Sequence, residues 1–147
     1  MNIETLCDLH RHYQQKSPEL FLVEEPDPPA TEEQINLVER ELSLCLPPSY
    51  RSFLTGLGGG FFGFINVFSA NPTSEYYLLN RKAEAAMYLP DKLLPFSDDY
   101  AGGLYVFKIV EEGVPEAVYY WNTDGGLTKT EFSNVLEFVA RYAYEPA

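Results

Sequence analysis

The sequence first changes its periodicity at Gly58-Gly59-Gly60, and this switch constrains the fold more than any other feature. Before it, apolar residues recur at helical intervals; the segments that follow mostly alternate or run continuously, as strands do. Thr31-Glu32-Glu33-Gln34 has the form of a capping box, and Ile35, Val38 and Leu42 follow on one face. The spacing predicts a helix that must stop by Leu46-Pro47-Pro48, because proline has no backbone N–H and clashes with the preceding turn. Pro48 is placed to open a second helix carrying Tyr50, Phe53, Leu54 and Leu57 on one stripe, which the glycines end.

Downstream, strands are expected at Phe61–Ser69, Lys92–Phe96, Leu104–Val110 and Val114–Trp121, the last two joined into an antiparallel hairpin by Glu111-Glu112-Gly113. Phe61–Phe68 is apolar on both faces, which predicts a covered central strand. Tyr76–Leu79 suits either the sheet or the start of an Ala-rich helix over Asn80–Leu89, and a last helix is expected near Ser133–Tyr142. Asp98–Gly103 and Asn122–Gly126 carry turn chemistry. Upstream, Ile3–Tyr13 reads as an amphipathic helix, Leu20–Val23 as a short apolar run, and Glu24–Pro29, with three prolines, as an extended acidic linker. Helices, then a mostly antiparallel sheet, then a closing helix make an α+β domain and not a repeating βαβ layout.

A chain of 147 residues suits one domain, and it removes roughly 70% of its unfolded surface from water, enough for a core without disulfides. Cys7 and Cys45 stand outside any CxxC pair and are expected to be buried or inert thiols, reduced in a cytoplasmic protein. Lys and Arg number 10 against 22 Asp and Glu, a formal charge of −12. Such a surface repels phosphate backbones and anionic lipid, which argues against direct nucleic-acid or membrane contact.

Catalytic and metal motifs do not hold up on chemistry. Gly58-x-Gly60-x-x-Gly63 matches the dinucleotide pattern, but it follows a helix and precedes a strand, the reverse of what a pyrophosphate needs. Cys7, His10 and His12 do not share one helical face, so two surface imidazoles and a partly buried thiol are expected in place of a zinc site. Asp98 and Asp99 could serve an acid/base hydrolase, yet neighbours in an extended segment point apart and the glycines beyond favour a turn. No Ser or Cys sits in a nucleophile elbow, and neither a cofactor nor an enzymatic role is expected.

What stands out is acidity combined with aromatics: 11 Tyr, 10 Phe and one Trp. Residues 19–41 carry eight carboxylates against Arg40 alone, and residues 111–124 carry four with no base. A protein that captures a basic partner is built this way, gaining association rate by steering.

Leu46-Pro47-x-x-Tyr50-x-x-Phe53-Leu54, running on to Gly58-Gly59, resembles the signature of the SUKH superfamily, which includes the fungal cell-wall assembly regulator domain and many bacterial immunity proteins. The Ile35–Leu42 helix, Leu94-Pro95-Phe96-Ser97-Asp98-Asp99, Val118-Tyr119-Tyr120-Trp121 and the Phe132–Val139 helix follow the same order. Leu57 precedes Gly58-Gly59 where the family usually has Asn, a departure that bears on the cap of that helix. The resemblance implies an α+β fold with a curved, mostly antiparallel sheet flanked by N-terminal and C-terminal helices, no cofactor, no catalytic centre, and a role in binding another protein. Residues 1–147 then form one SUKH-like domain, with residues 1–30 an N-terminal helix and acidic Pro-rich segment, and 31–147 the family core.

In bacteria the commonest role the resemblance implies is immunity, the binding and occlusion of a toxin domain of nuclease or deaminase type. The alternative is a regulatory or scaffold domain for an endogenous protein. The expected partner is a basic protein domain, and the chain itself a monomer or weak dimer. Candidate contact residues are Glu24, Glu25, Asp27, Asp98, Asp99, Tyr100, Glu111, Glu112 and Glu116, chosen for charge and for their place in loops.

Overall fold

In the computed structural model, which describes residues 1–22 and 24–146, helix α1 spans Ile3–Lys16 and is capped by the Asn2 side chain, which accepts from the Thr5 amide at 2.9 Å. A 3-10 turn over Pro18–Phe21 follows; Val23, the last residue of the expected apolar run, lies outside the described residues. Helix α2, Glu32–Leu42, begins with the capping box: the Thr31 hydroxyl accepts from the Gln34 amide at 3.1 Å, and the Gln34 side chain accepts from the Thr31 amide at 3.0 Å. Helix α3, Pro48–Leu57, buries Tyr50, Phe53 and Leu54, with Leu46 just before it. It ends at Gly58, φ 84°, whose amide donates back to the carbonyls of Phe53 and Leu54. The left-handed glycine closes the helix with no Asn before it.

The expected single strand over Phe61–Ser69 is instead a hairpin, β1 (Gly60–Phe62) paired antiparallel with β2 (Ile65–Val67). Gly63, φ 63°, supplies the left-handed residue that a two-residue turn needs, and the Phe64 amide is held by the carbonyl of Ala143 at 2.8 Å. The Phe68 amide then donates to the Phe96 carbonyl at 2.7 Å, setting the hairpin beside the main sheet. Tyr76–Leu79 divides between the two readings: Tyr77 bridges Ser69 in parallel, and helix α4 starts at Leu78 and runs to Ala85.

The main sheet has the order β3 (Leu93–Asp98), β4 (Leu104–Lys108), β5 (Tyr119–Asn122), β6 (Gly126–Lys129), every pair antiparallel. The β4–β5 pairing holds, but residues 114–118 are not strand; Pro115 lies there, and a proline cannot donate to a ladder. Helix α5, Val135–Tyr142, is capped by Asn134 and turns Val135, Leu136, Phe138 and Val139 inward. One cluster of buried apolar residues runs from Leu6 and Phe21 through α2, α3 and both sheets to Tyr144, so residues 1–22 share the core.

His10 is buried and not on the surface: its ring stacks on Phe62 at 5.1 Å, and Nδ1 lies 3.0 Å from the Tyr144 hydroxyl. Burial holds its pKa below the ordinary histidine value. His12 is exposed, Cys7 is half-buried, and Cys45, expected buried or inert, is exposed. Among the described residues no three His, Cys, Asp or Glu side chains gather as metal ligands, and no helix is long and apolar enough to cross a membrane.

Candidate functional site around Tyr100

Strand β3 ends at Asp98 and β4 starts at Leu104, leaving a five-residue connection that Asp99 holds together. One oxygen of Asp99 accepts from the amides of Ala101 and Gly103, each at 2.8 Å, and the other accepts from the Tyr120 hydroxyl on β5. Partial burial opposes the charged form of Asp99, but the Tyr120 and amide hydrogen bonds outweigh it and hold the carboxyl below the usual range. The same contact to Asp99 raises the Tyr120 phenol. A β-carbon on Gly103 would overlap the Tyr120 hydroxyl, which is why glycine stands there.

Asp98 is tied just as closely. The buried Asn66 on β2 donates to the Asp98 carbonyl and accepts from its amide, both at 3.0 Å, while Arg81 of α4 faces its carboxylate at 3.7 Å. The Asp98 side chain also accepts from the Tyr100 amide at 2.9 Å. Tyr100 is thereby fixed with φ 62°, a left-handed backbone that costs a residue with a side chain on the order of 1 kcal/mol. Its ring is exposed between two clefts.

The first cleft, about 300 Å³, is walled by Phe64 from the β1–β2 turn, Tyr105 from β4 and Tyr142 from α5, with Asp98, Asp99 and Tyr100 along one side. Burial pushes the Tyr105 phenol up to about 12, so it stays neutral. The second, about 220 Å³, lies across the loop and includes Arg81, Glu84 and Tyr88. The two carboxylates form turns and anchor strands; Asp98 holds the Tyr100 amide and the Asn66 side-chain amide and Asp99 holds three donors, an arrangement that suits presentation of Tyr100 better than proton transfer.

Of the other candidate residues, Glu24 and Glu25 are exposed. Asp27 is part-buried: its amide donates to the Gly59 carbonyl at 2.9 Å and its carboxylate packs against Gly60. Glu111 and Glu112 stand exposed on a turn closed by reciprocal bonds between Val110 and Gly113. Glu116 accepts from the Ser49 amide at 3.1 Å and from its hydroxyl, and so caps the start of α3. Sequence reasoning missed Phe64, exposed at the hairpin turn, and Met87 and Tyr88 after α4. A lone glycine before an aromatic in an otherwise apolar run was the available signal for Phe64.

The SMI1 / KNR4 family (SUKH-1) model matches residues 29–141. A crystal structure of a protein from Pseudomonas syringae pv. tomato is similar in fold, with a TM-score of 0.68 at 20% identity over 91% of this chain and 97% of that one. No curated protein matches the sequence. The core stripe of α3, the turn after β3 and the closing helix as far as Arg141 lie inside the matched span, and the chain belongs to the SMI1/KNR4 family (SUKH-1).

Proposed function

We propose that this chain is a non-enzymatic protein-binding domain of the immunity kind, which in the cytoplasm binds a basic toxin domain of nuclease or deaminase type and covers its working surface. Family membership supports the general class. The observation that carries the finer reading is the charge of −12 on a fold whose Glu24, Glu25, Glu111 and Glu112 stand exposed without a salt bridge among the described residues. Enzymes that cut or modify nucleic acid need a basic surface, and an acidic cover competes for that surface.

The test is a pull-down from source-cell lysate with the tagged chain at low and high salt, with mass spectrometry of what is retained. A toxin domain held at low salt and weakened by high salt is the expected result. A signalling or cell-wall protein in its place would replace this reading with the regulatory one. With the complex in hand, reversing Glu111 and Glu112 to Lys slows association about tenfold at low salt. An unchanged rate and unchanged toxin protection would move the interface away from that turn.

A further inference from the structure

We infer that the first cleft is a cage for the guanidinium group of an arginine side chain presented by the protein partner. The inference rests on the proposed function for the source of that arginine, and it names the chemistry of the contact. Phe64, Tyr100, Tyr105 and Tyr142 line it together with Asp98 and Asp99, so aromatic side chains and carboxylates share its wall. No basic residue is among the described residues lining this cleft. Arg81 meets Asp98 from the other side of the loop at 3.7 Å, and Arg141, exposed, packs on the Tyr142 ring at 5.1 Å. A cation entering among aromatic rings gains from the ring quadrupoles, and a planar guanidinium also stacks and donates in a fork to a carboxylate. Asp99 retains acceptor capacity, because its Oδ2 takes one donor, the Tyr120 hydroxyl, and a carboxylate oxygen has two lone pairs.

The chain uses this recognition internally on the other side of the same loop. There the Arg81 guanidinium lies 4.8 Å from the Tyr76 ring centre and 5.8 Å from that of Phe68, with the Asp98 carboxylate at 3.7 Å. The first cleft repeats those parts, aromatic faces beside an Asp98 or Asp99 carboxylate, and opens to solvent. At about 300 Å³ it has room for one long side chain and little more. Tyr100 stands between the two clefts, held in a backbone conformation that glycine would adopt more easily.

Titration of the isotope-labelled chain with N-acetyl-arginine amide, followed by amide NMR shifts, tests the cage. Saturable shifts at Ile65, Asp99, Tyr105 and Tyr142 are expected, with none from N-acetyl-norleucine amide, which has the length without the charge. Tyr100→Gly, which keeps the loop backbone at ease, weakens binding about fivefold. Tyr88→Ala, in the second cleft, leaves it unchanged. Absence of saturable shifts, equal response to the norleucine amide, or full affinity in Tyr100→Gly would each overturn the cage. A salt-sensitive toxin complex that Tyr100→Gly does not weaken would also overturn it and leave the proposed function standing. Arginine binding in the cleft with no toxin captured at any salt would do the reverse.

Discussion

Replacing Asp99 by Ala removes three acceptor contacts at once, from the Ala101 and Gly103 amides and from the Tyr120 hydroxyl. Hydrogen bonds to a charged group are worth about 1.5–3 kcal/mol each when shielded, but Asp99 is only partly buried, so solvent screening and competition by water reduce each to about 0.5–1 kcal/mol. The loop then loses about 2 kcal/mol, or about 4–8 °C in melting temperature for a domain of this size. Asp99→Asn keeps an oxygen for the two amides and loses only the charge and the Tyr120 acceptor, so it costs about half as much. The pH dependence has a definite sign. The folded pKa lies below the ordinary 3.8, so the carboxylate's contribution is full above that value and disappears as the pH falls through the lower folded one. Urea unfolding of the parent and both variants at neutral and acid pH checks the chain of reasoning. An Ala variant within about 0.5 kcal/mol of the parent at neutral pH, the range of an ordinary surface change, would refute Asp99 as the staple of this loop.

Two further perturbations separate backbone demands from packing and from protonation. Gly60→Ala places a β-carbon 2.6 Å from the Asp27 carboxyl carbon at φ 76°, and costs about 2–3 kcal/mol in urea unfolding; Gly102→Ala, at φ 94° with nothing within 4 Å, costs about 1 kcal/mol. Equal losses at both would remove the close approach of Asp27 from the account. Stability also falls as the pH drops below 6.5, the ordinary histidine value, toward the lower folded pKa of His10, because the unfolded chain takes up that proton first. His10→Phe flattens this part of the profile, and a slope that persists in the variant would place its origin elsewhere.

Upstream of Gly58 the fold was legible because its signals are local. A capping box, a proline at the first turn and a left-handed glycine each act within a few residues, and α2 and α3 begin and end where those residues stand. The hairpin was not legible, because Gly63 is the single turn residue in an apolar stretch and its partner in forming the turn, the Ala143 carbonyl, lies far along the chain. Strand β6 escaped for the opposite reason: Thr128 and Lys129 are exposed at a sheet edge, so no buried alternation marks them. At the site, Asp98 and Asp99 announced a turn, but the cleft beside it is assembled from Phe64, Tyr105 and Tyr142, which only the folded topology brings together.

The carboxylates of this chain divide into two populations, and the division says how a basic partner would be held. Asp98, Asp99, Glu39, Glu116 and Glu137 are part-buried and occupied: Glu39 accepts from the Leu46 amide at 2.7 Å and from Arg51 at 2.6 Å, and Glu137 holds Ser133 at the start of α5. Their charge is already engaged with backbone amides, hydroxyls or arginine, so little of it projects outward as a long-range field. The exposed group, Glu24, Glu25, Glu111 and Glu112 among them, has the field but no fixed geometry. Exposed charges change mainly the rate of encounter and are screened by salt, whereas a shaped, partly desolvated contact governs how slowly a complex falls apart. Charge reversal at the Val110–Gly113 turn should therefore act on association, and Tyr100→Gly on dissociation. A complex in which both changes moved the same rate constant would show that steering and holding are not separate surfaces here.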